Sequence, residues 1–149
     1  MRHRLEVAAK KGMLADSAMI AHGRGEAYDY LLGERTISSA HFASQVALQS
    51  LQQAELPVLS VNGNVVALAG DEVLQLAEKL NCPVEVNIFY RTPERMHALL
   101  SDLNERKERL GIEVEILGEN PDATIPGLKG PRAKCESSGI LPVSYTHLR

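Results

Sequence analysis

The sequence predicts an α/β protein, with a Rossmann-like parallel sheet of about three strands following a helical N-terminal part. Three short runs rich in apolar and β-branched residues predict the strands: VLSV (58–61), VEVNIFY (84–90) and IEVEIL (112–117). Each of the first two is followed by a stretch with helical spacing of its apolar residues. Because a helical crossover joins neighbouring parallel strands with right-handed geometry, this alternation indicates a parallel sheet.

The composition argues against several classes of function. The chain has 149 residues, a formal net charge of −3 and 44% hydrophobic residues, which is ordinary for a soluble protein. Lys and Arg are scattered, so we expect no nucleic-acid partner, and no apolar run reaches membrane-spanning length. Cys82 and Cys135 lack the C-x-x-C spacing of a zinc site. We therefore expect a cytoplasmic protein with reduced thiols, no membrane partner and no protein-ligated metal.

Three segments are expected. Residues 1–56 form the helical part, and residues 57–140 form a partial Rossmann-like body. Residues 141–149 break the alternation of strands and helices, and we expect them to be a non-native tail without packing contacts. The first helix starts with no capping residue before Arg2, and a third parallel strand calls for a further helix and strand, so we also expect the chain to be cut at both ends.

Helix boundaries in the N-terminal part are predicted from the spacing of apolar residues and from residues that start or end helices. Leu5, Ala8 and Ala9 make an apolar stripe on a first helix that Gly12 ends. Ser38 can cap a later helix that runs to about Ala54. The expected packed side of that helix consists mostly of small residues, which favours close approach to a neighbour: Ala40, Ala43, Val46, Ala47 and Leu51.

The stretch HGRGE (22–26) has the strongest local chemistry in this part. Two glycines around Arg24 predict a tight turn that opens a short helix from Glu26 to Leu32, which Gly33 ends. Free N–H groups beside an arginine suit an anionic ligand. The structural alternative is an ordinary helix-entry turn whose arginine pairs with a nearby carboxylate. No third glycine completes a dinucleotide fingerprint, and the chain has no P-loop motif.

The body has clearer boundaries. Asp71 is the expected cap of the helix after the first strand, and that helix closes at Asn81. Thr92 followed by Pro93 predicts a sharp helix start, and Gly111 predicts its end.

Polar residues follow each predicted strand. Asn62 and Asn64 follow the first strand, Arg91 the second and Asn120 the third. Because ligands of open parallel sheets bind beyond the carboxyl ends of the strands, we expect these side chains to surround one cavity near Arg24. Each residue also has a structural explanation, since Asn-Gly is a common turn and Thr92 beside Arg91 is a cap.

Four motifs in this order resemble the archaeal 4-phosphopantoate–β-alanine ligase family, also called phosphopantothenate synthetase. They are IAHGRGEAYDYLLGERT, VLSVNGNVVAL, EVNIFYRTPER and GENPDATIPGL, the last followed by RAK. The resemblance runs from about Arg2 to Ile140. It implies a Rossmann-like body and a homodimer that joins 4-phosphopantoate to β-alanine using ATP, releasing AMP and pyrophosphate in coenzyme A biosynthesis.

The resemblance also implies roles for particular residues. Arg2 and Arg24 match arginines that contact ATP, which Mg²⁺ is expected to accompany. His22 is a candidate proton acceptor or phosphate ligand, although a packed histidine without catalytic role is an equal alternative. The rest of the family's nucleotide site lies beyond Ile140, so this chain is expected to lack most of it. The candidates for 4-phosphopantoate are Asn62, Asn64, Arg91, Asn120 and Arg132.

Two other functions stay open at this stage. One is a non-catalytic nucleotide- or anion-binding protein on the same fold, because a fold does not fix a function. The other is a nicotinamide-linked oxidoreductase, against which the missing G-x-G-x-x-G motif already argues.

Overall fold

The computed structural model describes residues 1–55, 57–88 and 91–118. In this part of the chain, three helices come first and two further helices then alternate with three short strands. The elements are α1 (Arg2–Lys10), α2 (Ser17–Leu32), α3 (Ser38–Gln53), β1 (Leu59–Val61), α4 (Gly63–Leu80), β2 (Val84–Val86), α5 (Pro93–Leu110) and β3 (Ile116–Leu117).

The sheet is parallel, with strand order β1-β2-β3, which confirms the predicted fold class. Val84 pairs with Leu59 on one side and with Ile116 on the other. Val84 and Val86 share one hydrophobic core with residues of α4 and α5, including the fully buried Leu74 and Leu99. Both crossover helices therefore cover the same face of the sheet.

The boundaries of α5 are those that the sequence predicts. The Thr92 hydroxyl accepts a hydrogen bond from the backbone N–H of Arg95 at 3.3 Å, and Pro93 occupies the first turn. Gly111 ends the helix with a φ of 66°, a left-handed conformation that residues with a side chain adopt at a cost. Gly12 ends the first helical segment in the same way.

The start of α4 differs from the prediction. The Asn62 side chain accepts a hydrogen bond from the N–H of Val65 at 3.1 Å, so the helix begins at Gly63 and runs on to Leu80. Asn62 is the cap because its side chain reaches the free N–H groups as soon as β1 ends. Asp71 lies inside the helix, two residues after a kink at Ala69, and its predicted role as a cap is wrong.

Asp71 instead joins α4 to α5 through ion pairs. Its carboxylate lies 2.8 Å from Arg106 and 2.7 Å from Arg109. Hydrogen bonds from these guanidinium groups lower the pKa of Asp71 below its ordinary value, and the bond from Arg109 contributes most. Arg106 also contacts the largely buried Asp102 at 2.6 Å, and Lys11 reaches Asp102 at 3.3 Å. One charge network thus fastens the end of the first helical segment to the body.

The HGRGE segment is also corrected by the structure. It is not a turn, because α2 runs without interruption from Ser17 to Leu32 and holds both glycines in its interior. Each glycine costs about 1 kcal/mol of helix propensity, but a helix that continues on both sides adds a hydrogen bond per residue and tolerates this. Arg24 therefore lies on a helix surface and not beside free N–H groups. The predicted end at Gly33 is confirmed, with a φ of 80°.

The packed side predicted for α3 is wrong except at one position. Leu51 is the only buried residue of this helix. The other four predicted positions, Ala40, Ala43, Val46 and Ala47, are exposed. Ser38 is the first helical residue, and the cap is Ile37, whose side chain makes no capping hydrogen bond. Helical spacing identified an apolar side correctly, but spacing does not show whether a neighbour covers it.

The first helix shows the same effect on a smaller scale. Leu5 and Ala8 are buried as predicted, whereas Ala9 is exposed. Within the described residues, no helix combines the length and apolar character needed to cross a membrane.

Candidate functional site

The end of β1 packs directly against α2. Asn64 is 5% exposed, and its side-chain amide donates a hydrogen bond to the carbonyl oxygen of Ala18 at 3.2 Å. Gly63 makes this approach possible, because a Cβ there would lie 2.8 Å from the Met13 carbonyl oxygen and 2.9 Å from Leu14 Cδ2. Of the predicted site residues, Asn64 therefore holds the body against α2, whereas Asn62 caps α4 within the body.

His22 lies one helical turn after Ala18 and is the only buried residue of α2. Residues four apart share a helix face, so its imidazole points to the same side as the Asn64 contact. His22 Nε2 is 3.8 Å from Glu26 Oε2, and it has no hydrogen-bond partner in the described part of the chain. A buried ring nitrogen without a partner is costly, which makes this position a candidate for ligand contact.

Arg24 lies on another side of α2. Two residues in an α-helix are about 200° apart, so Arg24 faces away from His22 and is exposed. The neighbouring Gly23 has no atom within 4 Å of where a Cβ would be. Neither backbone conformation nor packing requires a glycine there, which leaves close approach by a molecule outside this chain as an explanation.

Arg2, the other expected ATP contact, is exposed at the start of α1. Its guanidinium lies 3.6 Å from Glu6 one turn later. An exposed pair of this kind is weak, so the guanidinium can turn to a phosphate group at little cost.

Arg91 links the ends of the second and third strands. Its guanidinium donates a hydrogen bond to the Gly118 carbonyl oxygen, directly after β3. Gly118 has a φ of 129°, and a Cβ would lie 2.9 Å from the Val86 carbonyl oxygen, so this junction depends on glycine. Two of the three loops expected to converge are thus joined. Asn120 and Arg132 lie outside the described residues.

Sequence reasoning missed Glu85, the central residue of β2. It is 2% exposed, and its Oε2 has no hydrogen-bond partner among the described residues. Burial raises the pKa of the Glu85 carboxyl, while the Ser60 side chain and the charge of Arg91 act in the opposite direction. No signal of this burial was present in the sequence, because Val-Glu-Val is the ordinary alternation of a strand with one face in water.

No cluster of three or more His, Cys, Asp or Glu groups suited to a metal ion occurs in residues 1–55, 57–88 and 91–118. The described polar groups instead fall into two sets, one where α2 meets the start of α4 and one on and after β2. One contains His22, Asn62 and Asn64, and the other contains Glu85 and Arg91. Together they offer amide and guanidinium donors and two unsatisfied buried atoms, a combination that suits an anionic ligand and an amine.

Comparison with known proteins identifies relatives along nearly the whole chain. Residues 39–145 match the family model described as phosphopantothenate/pantothenate synthetase. The 4-phosphopantoate–β-alanine ligase of Thermococcus onnurineus is 47% identical over 139 residues, covering 93% of this chain and 52% of the relative. The protein of the same name from Methanosarcina mazei is 42% identical, covering 93% of this chain and 53% of the relative.

The chain therefore spans about half the length of the curated relatives it matches. The resemblance inferred from four motifs is confirmed by matches that extend well beyond them. The chain belongs to the phosphopantothenate/pantothenate synthetase family.

Proposed function

We propose that the protein containing this chain is an ATP-dependent ligase that condenses 4-phosphopantoate with β-alanine to give 4′-phosphopantothenate. The observation that carries this proposal is the 42–47% identity to relatives named 4-phosphopantoate–β-alanine ligase, over 93% of the chain. The missing dinucleotide motif disfavours an oxidoreductase on the same fold.

Such a reaction must activate a carboxylate before an amine can attack it. In the route proposed here, the 4-phosphopantoate carboxylate displaces pyrophosphate from ATP to give an acyl-adenylate. The amine of β-alanine then attacks the acyl carbon, forming the C–N bond and releasing AMP and a proton. Negative charge develops on the α-phosphate in the first step, and fixed cations stabilise it. Exposed guanidinium groups at Arg24 and Arg2 are suited to this task. Mg²⁺ would be held mainly by the nucleotide phosphates, as is usual for this ion.

The absence of a side chain at Gly23 supports a nucleotide contact at Arg24. A surface glycine inside a helix weakens the fold and fills no packing need here, but it lets a bulky anion approach the helix closely. His22, on the other side of the same turn, is proposed to accept a proton or bind a phosphate through Nε2, which has no hydrogen-bond partner among the described residues.

4-Phosphopantoate carries a phosphate and a carboxylate, and we assign it to the strand ends. Arg91 supplies a partly buried guanidinium for one anionic group. Asn62 and Asn64 stand at the N-terminus of α4, where backbone N–H groups and the helix dipole favour negative charge. Asn120 and Arg132 are assigned to the same substrate from the sequence alone.

The activity is tested in the full-length protein by measuring AMP. We expect AMP to form only when ATP, 4-phosphopantoate and β-alanine are all present. A non-catalytic nucleotide- or anion-binding protein would bind ATP and form no AMP, and that result would overturn the proposal.

Arg24→Lys tests the nucleotide assignment. An ammonium keeps the charge but cannot grip two phosphate oxygens, so we expect at least tenfold weaker ATP use. Arg35→Lys, in the loop after α2, is the matched control. Unchanged ATP affinity and turnover in Arg24→Lys would remove Arg24 from the site.

We further propose that the functional protein is a homodimer that covers the apolar surface of α2 and α3. Leu31, Tyr30 and Phe42 are 82%, 66% and 67% exposed, although each is large and apolar or aromatic. Exposure of several large apolar side chains is typical of interaction surfaces. We expect Phe42→Asp to shift the full-length protein from dimer to monomer in analytical ultracentrifugation. A wild-type monomer at micromolar concentration would contradict the assignment.

A further inference from the structure

Glu85 occupies an unusual position for a carboxylate. It pairs in register with Ser60 of β1 and Leu117 of β3, so it lies in the middle of the three-stranded sheet. Its neighbours Val84 and Val86 belong to the core formed with α4 and α5. Since successive side chains of a strand alternate between faces, Glu85 points to the sheet face opposite these two helices.

The described contacts offset the cost of burying this side chain only in part, through the hydrogen bond with the Ser60 side chain. Glu85 is 2% exposed, and Oε2 has no hydrogen-bond donor among the described residues. A buried carboxylate with an unsatisfied oxygen is strongly unfavourable unless a donor or a cation completes it. The side chain is therefore suited to a ligand that brings N–H groups and a positive charge.

Arg91 is held next to this carboxyl by the strand order. Leu117 is the register partner of Glu85, and the following residue, Gly118, accepts the hydrogen bond from the Arg91 guanidinium. Burial raises the pKa of the Glu85 carboxyl, and the positive charge of Arg91 acts against this rise. A cationic group suited to a carboxylate, which follows β2, and an anionic group suited to an amine, within β2, are thus both linked to the segment formed by Leu117 and Gly118.

We propose that Glu85 binds the ammonium group of the amino substrate, with Arg91 beside it holding the carboxylate to which that amine is joined. This inference rests on the ligase function proposed above and adds the residue that recognises β-alanine. The ammonium group supplies up to three N–H donors to a carboxylate that has an oxygen free for one of them. Once the bound ammonium group has lost a proton to solvent, the arrangement holds the free amine next to the acyl group, and such proximity is a main source of rate enhancement in two-substrate reactions.

Glu85→Gln in the full-length enzyme is the test, because it removes the charge and keeps the shape. Loss of one charge-assisted hydrogen bond predicts a KM for β-alanine about ten- to a hundredfold higher. The KM for ATP is expected to stay within about twofold. Exchange of labelled pyrophosphate into ATP, driven by 4-phosphopantoate without β-alanine, should also persist, because Glu85 takes no part in forming the adenylate.

Two further variants keep the result interpretable. Glu113→Gln changes an exposed glutamate of the segment leading into β3 and should leave every constant unchanged. Glu85→Asp keeps the charge on a shorter side chain, so its KM for β-alanine should lie between those of wild type and Glu85→Gln. If Glu85→Gln does not fold, the KM of Glu85→Asp for β-alanine serves as the test instead.

An unchanged KM for β-alanine in folded Glu85→Gln would overturn the assignment. Equal loss of activity towards β-alanine, of activity with ATP and of pyrophosphate exchange would overturn it as well. That pattern would mean that the Glu85 carboxyl maintains the fold and does not bind one substrate. Failure of the ligase function itself looks different, since the wild-type protein would then form no AMP with all three substrates present.

Discussion

The α/β body and the N-terminal helices α2 and α3 use apolar residues in opposite ways. In the body, Leu74, Leu99 and Leu103 are fully buried, and an ion-pair network around Asp71 and Asp102 ties the helices together. In α2 and α3, by contrast, only one residue of each helix is buried, His22 and Leu51.

The difference shows which part of the fold this chain stabilises by itself. The body buries its large apolar side chains, whereas α2 and α3 leave several of theirs in contact with water. Most helical stability in proteins comes from packing of an apolar face and not from propensity. We therefore expect substitutions in the two regions to differ in their effect on stability and in their dependence on protein concentration.

The largest expected difference is between Leu99→Ala and Val46→Ala. Leu99 is fully buried, so its truncation should lower the free energy of unfolding by about 2–5 kcal/mol through lost burial and a residual cavity. Val46 is 44% exposed, and its truncation should cost no more than about 0.5 kcal/mol in the monomer. Urea unfolding of both variants measures the difference. Equal losses at low protein concentration would contradict the contrast between the regions.

Gly63→Ala tests the junction between the two regions. A Cβ there would meet the Met13 carbonyl oxygen at 2.8 Å, and backbone cannot easily move away. We expect a loss of about 1–3 kcal/mol, as for other overpacked positions. Gly23→Ala is the matched control, because a Cβ at that position meets nothing within 4 Å. A neutral effect at Gly63 would show that the body and the N-terminal helices are loosely joined.

Asp71→Asn removes the ion pairs between α4 and α5 and should cost about 1 kcal/mol near neutral pH, since the pairs are partly exposed. The pKa of Asp71 is lower in the folded protein than in the unfolded chain. Its contribution is therefore present above the ordinary pKa of aspartate and is lost as the pH falls towards the folded value. Thermal unfolding from pH 7 to pH 3 should show the gap between wild type and variant closing. A gap that is constant with pH would assign the loss to packing.

The smallest expected effect is a gain. Gly23→Ala should raise the free energy of unfolding by about 0.5–1 kcal/mol, because alanine is the better helix former and the site is open. If Gly23 gives a nucleotide close access to Arg24, the same variant should use ATP less well. Higher stability with unchanged ATP use would remove the functional explanation for this glycine.

Much of the body could be predicted because its signals are local. Thr92 and Pro93 set the start of α5, and Gly111 sets its end, since each acts through its own backbone and near neighbours. The parallel order followed from alternating elements and the handedness of crossovers. The family followed from four spaced motifs, and the matches with relatives confirm it.

The errors concern residues with two local solutions. The HGRGE segment can form a turn or continue a helix, and Asn62 can sit in a turn or cap a helix. Neighbouring residues along the chain do not decide between these conformations. Tertiary context decided both cases. The roles proposed for Arg2, His22, Arg24, Asn62, Asn64 and Arg91 remain predictions for the variants described above.

The sequence by itself determined the order of helices and strands, several of their ends and the family, because these depend on residue type and spacing. Only the tertiary structure decided that Asn64 reaches α2, that Arg91 bonds beyond β3, and that Glu85 is buried beside it. It also decided that Leu51 alone is buried on the apolar side of α3. These are contacts between distant segments, and burial depends on what the rest of the chain places over a residue.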